Sequence, residues 1–323
     1  MTIHTICLVG GTGFVGRSLA CELTSRGHKT RVLTRRRERH RELLVHPSLE
    51  LVEVDVHDQR QLNESLTGSD TVINLAGILN QGSPRTGQFD AVHVELPTKI
   101  IAACENQGID RLLHISALGA TEDAPSEYLK SKARGEQRIH QGTGTITATS
   151  FRPSVLFGPG DSFFNRFATL LRLSPVIVPV ACANAKFAPV YVGDLVNAVA
   201  NAIDDKDSGA QRYNICGPRE YTLRELLQYT AAVCEEKRTI WGLGESLSRL
   251  QAHVLGRLPG KPFSYDNYLS MQRDSTCTDN ALPKLGITPT SVEAVVPGYL
   301  GASDPNARYQ HMRATAGRSA GTA

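Results

Sequence analysis

Tyr128 and Lys132 stand four residues apart in the segment EYLKSKARGEQR, so on a helix they share one face a turn apart. A free phenol, with a pKa of about 10, is a poor base at neutral pH. An ammonium group beside it stabilises the phenolate and draws that pKa toward the working range, which suits the pair to proton transfer. Ser116, twelve residues before Tyr128, closes the run LLHIS and can hydrogen-bond a substrate oxygen and polarise its carbonyl. Tyr-x-x-x-Lys also arises by chance on polar helices, and LKSKARGEQR is largely polar. The three residues become a catalytic set only if other residues bring a reactive group to them.

A segment that can do so lies near the amino terminus. In CLVGGTGFVGRSLA, Gly10, Gly13 and Gly16 have a GxxGxxG spacing between a strand-like run and a helical one. Such glycines give a tight turn, close backbone approach to a pyrophosphate, and close packing of helix on strand. The helix start then offers free N–H groups and a positive dipole end to phosphate, so Gly10, Gly11, Thr12, Gly13, Phe14, Val15 and Gly16 are the expected phosphate loop. Sites that prefer NAD(H) place an acid at the end of the second strand to hold the ribose 2′-hydroxyl. Here the segment reads VLTRRRER, with Arg35 where the acid would stand. A guanidinium suits a 2′-phosphate, so NADP(H) is expected over NAD(H), with Arg36 beside the adenine. Arg37, Arg39 and Arg41 read as a solvated helix face.

These sites need a parallel sheet to carry them. Apolar strand-like runs alternate with helical patterns: Ile6 to Gly10, Lys29 to Thr34, Leu51 to Val54, Thr71 to Ala76, Arg111 to Ile115 and Thr147 to Arg152 as strands, with helices Val15 to Arg26, Pro97 to Asn106 and Tyr128 to His140. The fold class is α/β, a Rossmann-type doubly wound parallel sheet. After Gly158 the alternation weakens. Ser162 to Leu173 reads as an amphipathic helix, Ser174 to Val180 as an extended loop, Val190 to Ile203 as strand into helix, and Arg212 to Ile215 as a last strand. Thr222 and Glu225 form a capping box for a helix from Leu223. Residues 1–160 are the dinucleotide-binding domain, with 186–215 returning to it. Residues 161–185 and 216–301 make a smaller, mainly helical lobe for substrate or partner, and 302–323 a disordered tail containing Arg308, Arg313 and Arg318.

Taken in order, the glycine loop, Asp55 of VEVDVHD, the strand end Asn74-Leu-Ala-Gly77, Ser116 of HISALG, Tyr128-x-x-x-Lys132, RPSVLFGPGD, VYVGDLVNAV and YNICGP resemble the short-chain dehydrogenase/reductase superfamily, in its extended or atypical branches. Within these, the chain is similar to the group of the NAD(P)-binding accessory subunit of respiratory complex I and its bacterial relatives. The resemblance runs from Ile3 to Leu300. It implies that Asp55 and Val56 lie beside the adenine, Ala76 and Gly77 beside the cofactor ribose, and Pro153 and Val155 near the nicotinamide. Asp194 reads as a structural acid capping a helix start. The family pattern has the tyrosine exchange a proton while nicotinamide C4 exchanges hydride. One departure is that VHVELP puts His93 where related enzymes carry an asparagine that supports the lysine through water, so His93 either takes that place in the proton relay or is a packed histidine, the second being the preferred reading.

Composition narrows the partners. The chain has 323 residues and a net charge of +3, too small to argue for nucleic acid. The seven cysteines form no CxxC pair, and the ten histidines show no HxH or HExxH spacing, so no metal is expected. Buried reduced thiols in a cytoplasmic setting are the expectation, with Cys182 and Cys216 in the core. No apolar run reaches the roughly 18 residues of a membrane span, which leaves peripheral attachment at the inner face of a respiratory membrane open. Two functions compete. One is an NADP(H)-dependent oxidoreductase, or epimerase/dehydratase-type enzyme, on a small or lipid-like, quinone-type substrate, with Phe163, Phe164, Phe167, Leu170 and Leu171 either lining its pocket or forming an ordinary core. The other is a non-catalytic, NADPH-stabilised accessory subunit of a respiratory or quinone-synthesis assembly.

Overall fold

The computed structural model describes residues 2–81, 87–141, 144, 146–205, 208–258 and 261–301. Six strands, β1 (Thr5–Val9), β2 (Lys29–Thr34), β3 (Leu49–Glu53), β4 (Thr71–Asn74), β5 (Arg111–Ile115) and β6 (Thr147–Pro153), join the strand Arg212–Ile215 in one seven-stranded sheet. The order is β3-β2-β1-β4-β5-β6 and then Arg212–Ile215, and every pairing is parallel. All four residues of β4 are buried, as a central strand covered on both faces requires. Helix α1 (Phe14–Ser25) and the helix Val192–Asp204 pack on one face. Helix α2 (Gln59–Leu66), the helix Leu96–Gln107 and the helix Glu127–Gln141 pack on the other. The strand order reverses between β1 and β4, and in such sheets a crevice opens at the carboxyl ends at that point.

The second lobe has its own core of Phe157, Phe164, Leu171, Val178, Leu226 and Ile240, among others. Phe164 and Leu171 are fully buried there and Phe163 and Phe167 pack against them, whereas Leu170 is exposed, so four of the five residues of the stripe serve as lobe core. The segment expected as an extended loop contains a strand, Ile177–Val180, paired in parallel with Thr239–Gly242. Lys186–Phe187 pairs with Tyr221–Thr222 in the lobe, whereas Ala281, Leu282 and Leu285 pack back on the main sheet's core. The Thr222–Glu225 capping box is present at the start of Leu223–Val233.

Two expectations are corrected here. Asp194 does not cap its helix, which begins at Val192. Its buried carboxylate accepts from the backbone N–H of Thr290 at 2.7 Å and from Thr290 Oγ1 at 2.8 Å, fastening the C-terminal segment to the sheet. Cys216 is bonded to Cys277 and is not a reduced core thiol. The segment after Cys277 runs beside the last strand, with Asn280 Nδ2 donating to Cys216 O at 2.8 Å and Ala281 N to Asn214 O at 2.9 Å, which brings the two cysteines together. The tail expected to be disordered, with its three arginines, lies outside the described residues.

Candidate active site

The glycine loop follows β1 directly. Gly10 has φ +83°, and a Cβ there would lie 2.8 Å from the backbone nitrogen of Ala76, so only glycine allows β1 and β4 to approach so closely. Gly16 is buried against Gly11, which seats α1 on the strand. Gly13 differs. It is exposed, and a Cβ on it would meet only the carbonyl of Gly10, at 3.4 Å. Gly13 also stands at the N-cap of α1 with no side-chain cap, and no acid occupies the first turn. The free N–H groups, open backbone and uncompensated dipole end together fit a pyrophosphate. Phe14 and Val15 anchor the loop by packing on the core, while Thr12 O accepts from Arg17 Nε at 3.0 Å.

Beyond β2, Arg35 and Arg36 are exposed, and neither guanidinium has a hydrogen bond or ion pair among the described residues. Their neighbours are engaged: the Arg37 backbone N–H donates to Glu53 at 2.8 Å, Arg41 pairs with Glu38, and Arg17 pairs with Glu42 at 3.0 Å. Asp55 and Val56 follow β3 at the same end of the sheet. The Asp55 carboxylate accepts from His57 N at 3.0 Å, and Asp58 caps α2. Ala76 and Gly77 follow β4, Ser116 follows β5, and Pro153 closes β6 with Val155 two residues on. All the expected positions therefore reach one edge of the sheet.

Of the catalytic candidates, Lys132 stands beside Gly77 and next to Ser116, whereas the Tyr128 phenol packs on Phe89 and His93 and gains no lowering from the Lys132 charge, contrary to the expectation from their spacing. Lys132 is buried, and its Nζ donates to the carbonyl of Ile115, the residue before Ser116, at 2.7 Å. Burial lowers its pKa to about 8, partly opposed by the charge of Glu136. A Cβ added to Gly77 would stand 3.5 Å from Lys132 Nζ, so the exposed backbone of Gly77 and the ammonium face each other. The Ser116 hydroxyl is buried and has no hydrogen-bond partner, as are both ring nitrogens of His114 and the amide nitrogen of Asn74. Asn74 and His114 are directly opposite on β4 and β5. An orphaned hydroxyl at a strand end is unsatisfied until something polar arrives. Tyr128, half-buried, packs against the rings of Phe89 and His93. Burial and the nearby carboxylate of Asp266 push its phenol up to about 12.

His93 has become part of the frame. Ser131 Oγ donates its proton to Tyr128 O at 2.8 Å, so it must accept from His93 Nδ1–H, also at 2.8 Å. His93 Nε2 is then the acceptor for the Ile78 N–H at 3.1 Å. These bonds fix one neutral tautomer, and burial, with a smaller contribution from Lys132, holds the pKa down to about 2. His93 thus positions the Gly77 loop against the Tyr128 helix. It rides on a single π-turn, Ala91–Glu95, whose backbone closes on Gly135 of that helix.

Sequence reasoning missed Asp266. From the second lobe it accepts from the backbone N–H groups of Glu127 at 2.8 Å and Tyr128 at 3.1 Å, and so completes the cap that Ser126 Oγ begins by accepting from Leu129 N at 3.3 Å. Nothing in the sequence links positions so far apart. Cys182, expected in the core, is half-buried with φ +52° and lines a cleft of about 330 Å³ together with Arg224, Glu245, Ser248, Tyr268 and Gln272. Its thiol accepts from Gln272 Nε2 at 3.5 Å, and burial raises its pKa, which disfavours a thiolate. Among the described residues no group of His, Cys, Asp and Glu side chains could hold a metal, and no helix is long and apolar enough to cross a membrane.

Residues 6–216 match the model of the NAD dependent epimerase/dehydratase family, and they carry the sheet and every candidate position expected from the sequence. The chain belongs to that family. Its relatives include subunit 9 of the NADH dehydrogenase [ubiquinone] 1 alpha subcomplex, mitochondrial, of Rattus norvegicus, 28% identical over 293 residues, covering 88% of this chain and 76% of that protein. Ceramide reductase of Caulobacter vibrioides is 31% identical over 195 residues, 58% of this chain and 57% of that one. An epimerase of Methanothermobacter thermautotrophicus has the same fold, with a TM-score of 0.75 at 15% identity over 97% of this chain and 94% of its own. The resemblance to an extended short-chain dehydrogenase/reductase group with complex I subunits among its members therefore holds. The family description, NAD dependent, bears out a nicotinamide dinucleotide as the family's cofactor.

Proposed function

We propose that the chain is an NADP(H)-dependent oxidoreductase, of the epimerase/dehydratase type, that acts on a carbonyl or hydroxyl group of a small or lipid-like substrate such as a quinone. The observation that carries this reading is the buried Lys132 ammonium facing Gly77, one turn from Tyr128 and one residue from the partnerless Ser116 hydroxyl. The residues present fit a dinucleotide. The Gly10–Gly16 backbone would hold the pyrophosphate, Arg35 the 2′-phosphate with Arg36 flanking the adenine, Asp55 and Val56 the adenine side, and Ala76 and Gly77 the ribose. Pro153 and Val155 would border the nicotinamide. The bound nicotinamide supplies hydride exchange at its C4.

The chain supplies the rest. Ser116 turns its free hydroxyl to the substrate oxygen and polarises it. Tyr128, with its phenol held up at about 12, is protonated at neutral pH and so is set to give its proton to that oxygen in the reducing direction. Lys132, a helical turn further on, would stabilise the phenolate left behind once bound cofactor and substrate draw the two groups together.

A second reading is favoured by the named relatives in respiratory complex I and by His93, which occupies the relay position as a frame residue. In it, the same cofactor binds without turnover and stabilises an accessory subunit attached peripherally at a respiratory membrane. Calorimetric titration of cofactor-stripped protein with NADPH and NADH, repeated on Arg35→Ala, tests the common ground. NADPH should bind at least tenfold tighter than NADH, and Arg35→Ala should erase the difference. Equal affinity for both cofactors would remove Arg35 from its role. Carbonyl turnover that Tyr128→Phe abolishes, with NADPH affinity kept, then selects the enzyme; binding without turnover selects the subunit.

A further inference from the structure

The second lobe turns an apolar face to solvent. Where Ile177–Val180 pairs with Thr239–Gly242, Val178, Val180 and Ile240 point inward, and Ile177 and Trp241 lie on the outer surface, Trp241 with 56% of its area exposed. The helix Glu245–Leu255 flanks the pair. Its Gln251 binds the free edge of the first strand, accepting from Ala181 N at 2.9 Å and donating to Pro179 O at 2.8 Å. Leu247 and Val254 lie one turn to either side of Gln251 and Leu250 next to it, so they crowd the side of the helix that adjoins the strands. All three are exposed, Leu250 to 57%, while the buried side of the helix holds Ser248 and Ala252. An ordinary surface helix has the opposite arrangement.

Charge says what this face would meet. Residues 164–180, which include the neighbouring exposed Leu173 and Val176, carry Arg166 and Arg172 and no acid. Residues 236–258 carry four cations, Lys237, Arg238, Arg249 and Arg257, against Glu236 and Glu245. Together the two stretches have a net charge of +4, more than the +3 of the whole chain. Protruding aliphatic side chains, a tryptophan and surrounding cations are the features that seat a protein in the headgroup layer of an anionic membrane. Two copies of a face this basic repel each other.

We propose that this face docks on an anionic phospholipid surface, with Trp241, Leu250 and Val254 at the boundary between headgroups and acyl chains; Arg238 and Arg249 pair with Glu236 and Glu245, and the excess cations Arg166, Arg172, Lys237 and Arg257 meet lipid phosphates. The helix that presents Leu250 outward also lines the 330 Å³ cleft with Glu245 and Ser248, so a docked molecule holds that cleft close to the membrane. Docking goes beyond the reading of the active site and is scored without turnover, so either can fail alone.

Trp241 is the only tryptophan of the chain and reports the contact directly. The full chain is mixed at low salt with vesicles rich in phosphatidylglycerol or made of phosphatidylcholine alone, and emission and co-sedimentation are followed. The expected result is a blue shift and strong co-sedimentation on the anionic vesicles, reversed by salt and several-fold weaker on the neutral ones. The double variant Leu250→Glu, Val254→Glu should lose at least tenfold in partitioning while keeping its circular dichroism and NADPH affinity, because both side chains are exposed. No shift and no co-sedimentation on anionic vesicles overturns the proposal. Equal binding to both vesicle types refutes the anionic selectivity. Blue-shifted emission without vesicles, in a species of twice the chain mass, assigns the face to a second copy instead.

Discussion

His93 and His114 are both buried near the charge of Lys132, and both have pKa values well below the ordinary 6.5, chiefly through burial. As pH falls below about 6.5 the unfolded chain takes up protons on these two rings and the folded chain does not. Stability therefore falls with falling pH, by about 1.4 kcal/mol per pH unit for each ring, or roughly 3 kcal/mol for the pair. Urea unfolding at pH 6.5 and pH 5 measures this slope. His140, lowered to about 4, adds to the same slope, so His114→Leu should remove one ring's share, about 1.4 kcal/mol per pH unit, and raise stability at pH 5, because neither ring nitrogen has a partner to lose. An unchanged slope would mean that His114 is already hydrated and titrates normally. The types and spacing of Ser116, Tyr128 and Lys132 were legible in the sequence, since a helix fixes what lies a turn apart. That Ser116 and His114 are orphaned was not. A side chain's partners come from β4, β5 and the π-turn, whose mutual distances no local pattern encodes.

Among the elements, those with local causes were read with accurate bounds. Lys29–Thr34, Arg111–Ile115 and Arg212–Ile215 form over the expected residues, and the Thr222–Glu225 box starts its helix as its residue types require. Ile177–Val180 was read as loop because its partner lies about sixty residues away and two prolines interrupt the segment. The glycine loop was legible as a motif, and the structure separates its members by task. Gly16→Ala would push a methyl group into the Gly11 backbone, so a loss of roughly 2–3 kcal/mol in stability is expected. Gly13 has ordinary extended backbone and open space, so Gly13→Ala should change stability by less than about 1 kcal/mol yet weaken NADPH binding tenfold or more. Thermal unfolding and calorimetry on both variants distinguish the tasks. Parallel losses of stability in the two would show that Gly13 serves packing and not the cofactor.

At the scale of the molecule, the second lobe is tied to the sheet by contacts that only the folded chain brings together. Asp266 caps the Tyr128 helix, Asp194 holds Thr290, and Cys216 is bonded to Cys277 across 61 residues that contain most of the lobe. Scattered cysteines gave no sign of that pairing, because Asn280 and Ala281, not cysteine spacing, bring the segment after Cys277 to the end of the last strand. A cross-link closing a loop of that length removes chain entropy from the unfolded state worth about 4 kcal/mol. Cys277→Ser should therefore lower the urea midpoint, and a thiol reductant should lower it equally in the parent protein and not at all in the variant. NADPH affinity should stay within twofold in both, since the Gly10–Gly16 loop sits on the opposite half of the sheet from the last strand. If the reductant shifts neither protein, the two thiols are reduced in solution and the lobe is held without a cross-link, by Asp194, Asp266 and the packing of Ala281, Leu282 and Leu285 on the sheet's core. If it shifts the parent and also abolishes cofactor binding, the lobe does more than cover the site, because closing the loop then helps to position the helix that carries Tyr128 and Lys132.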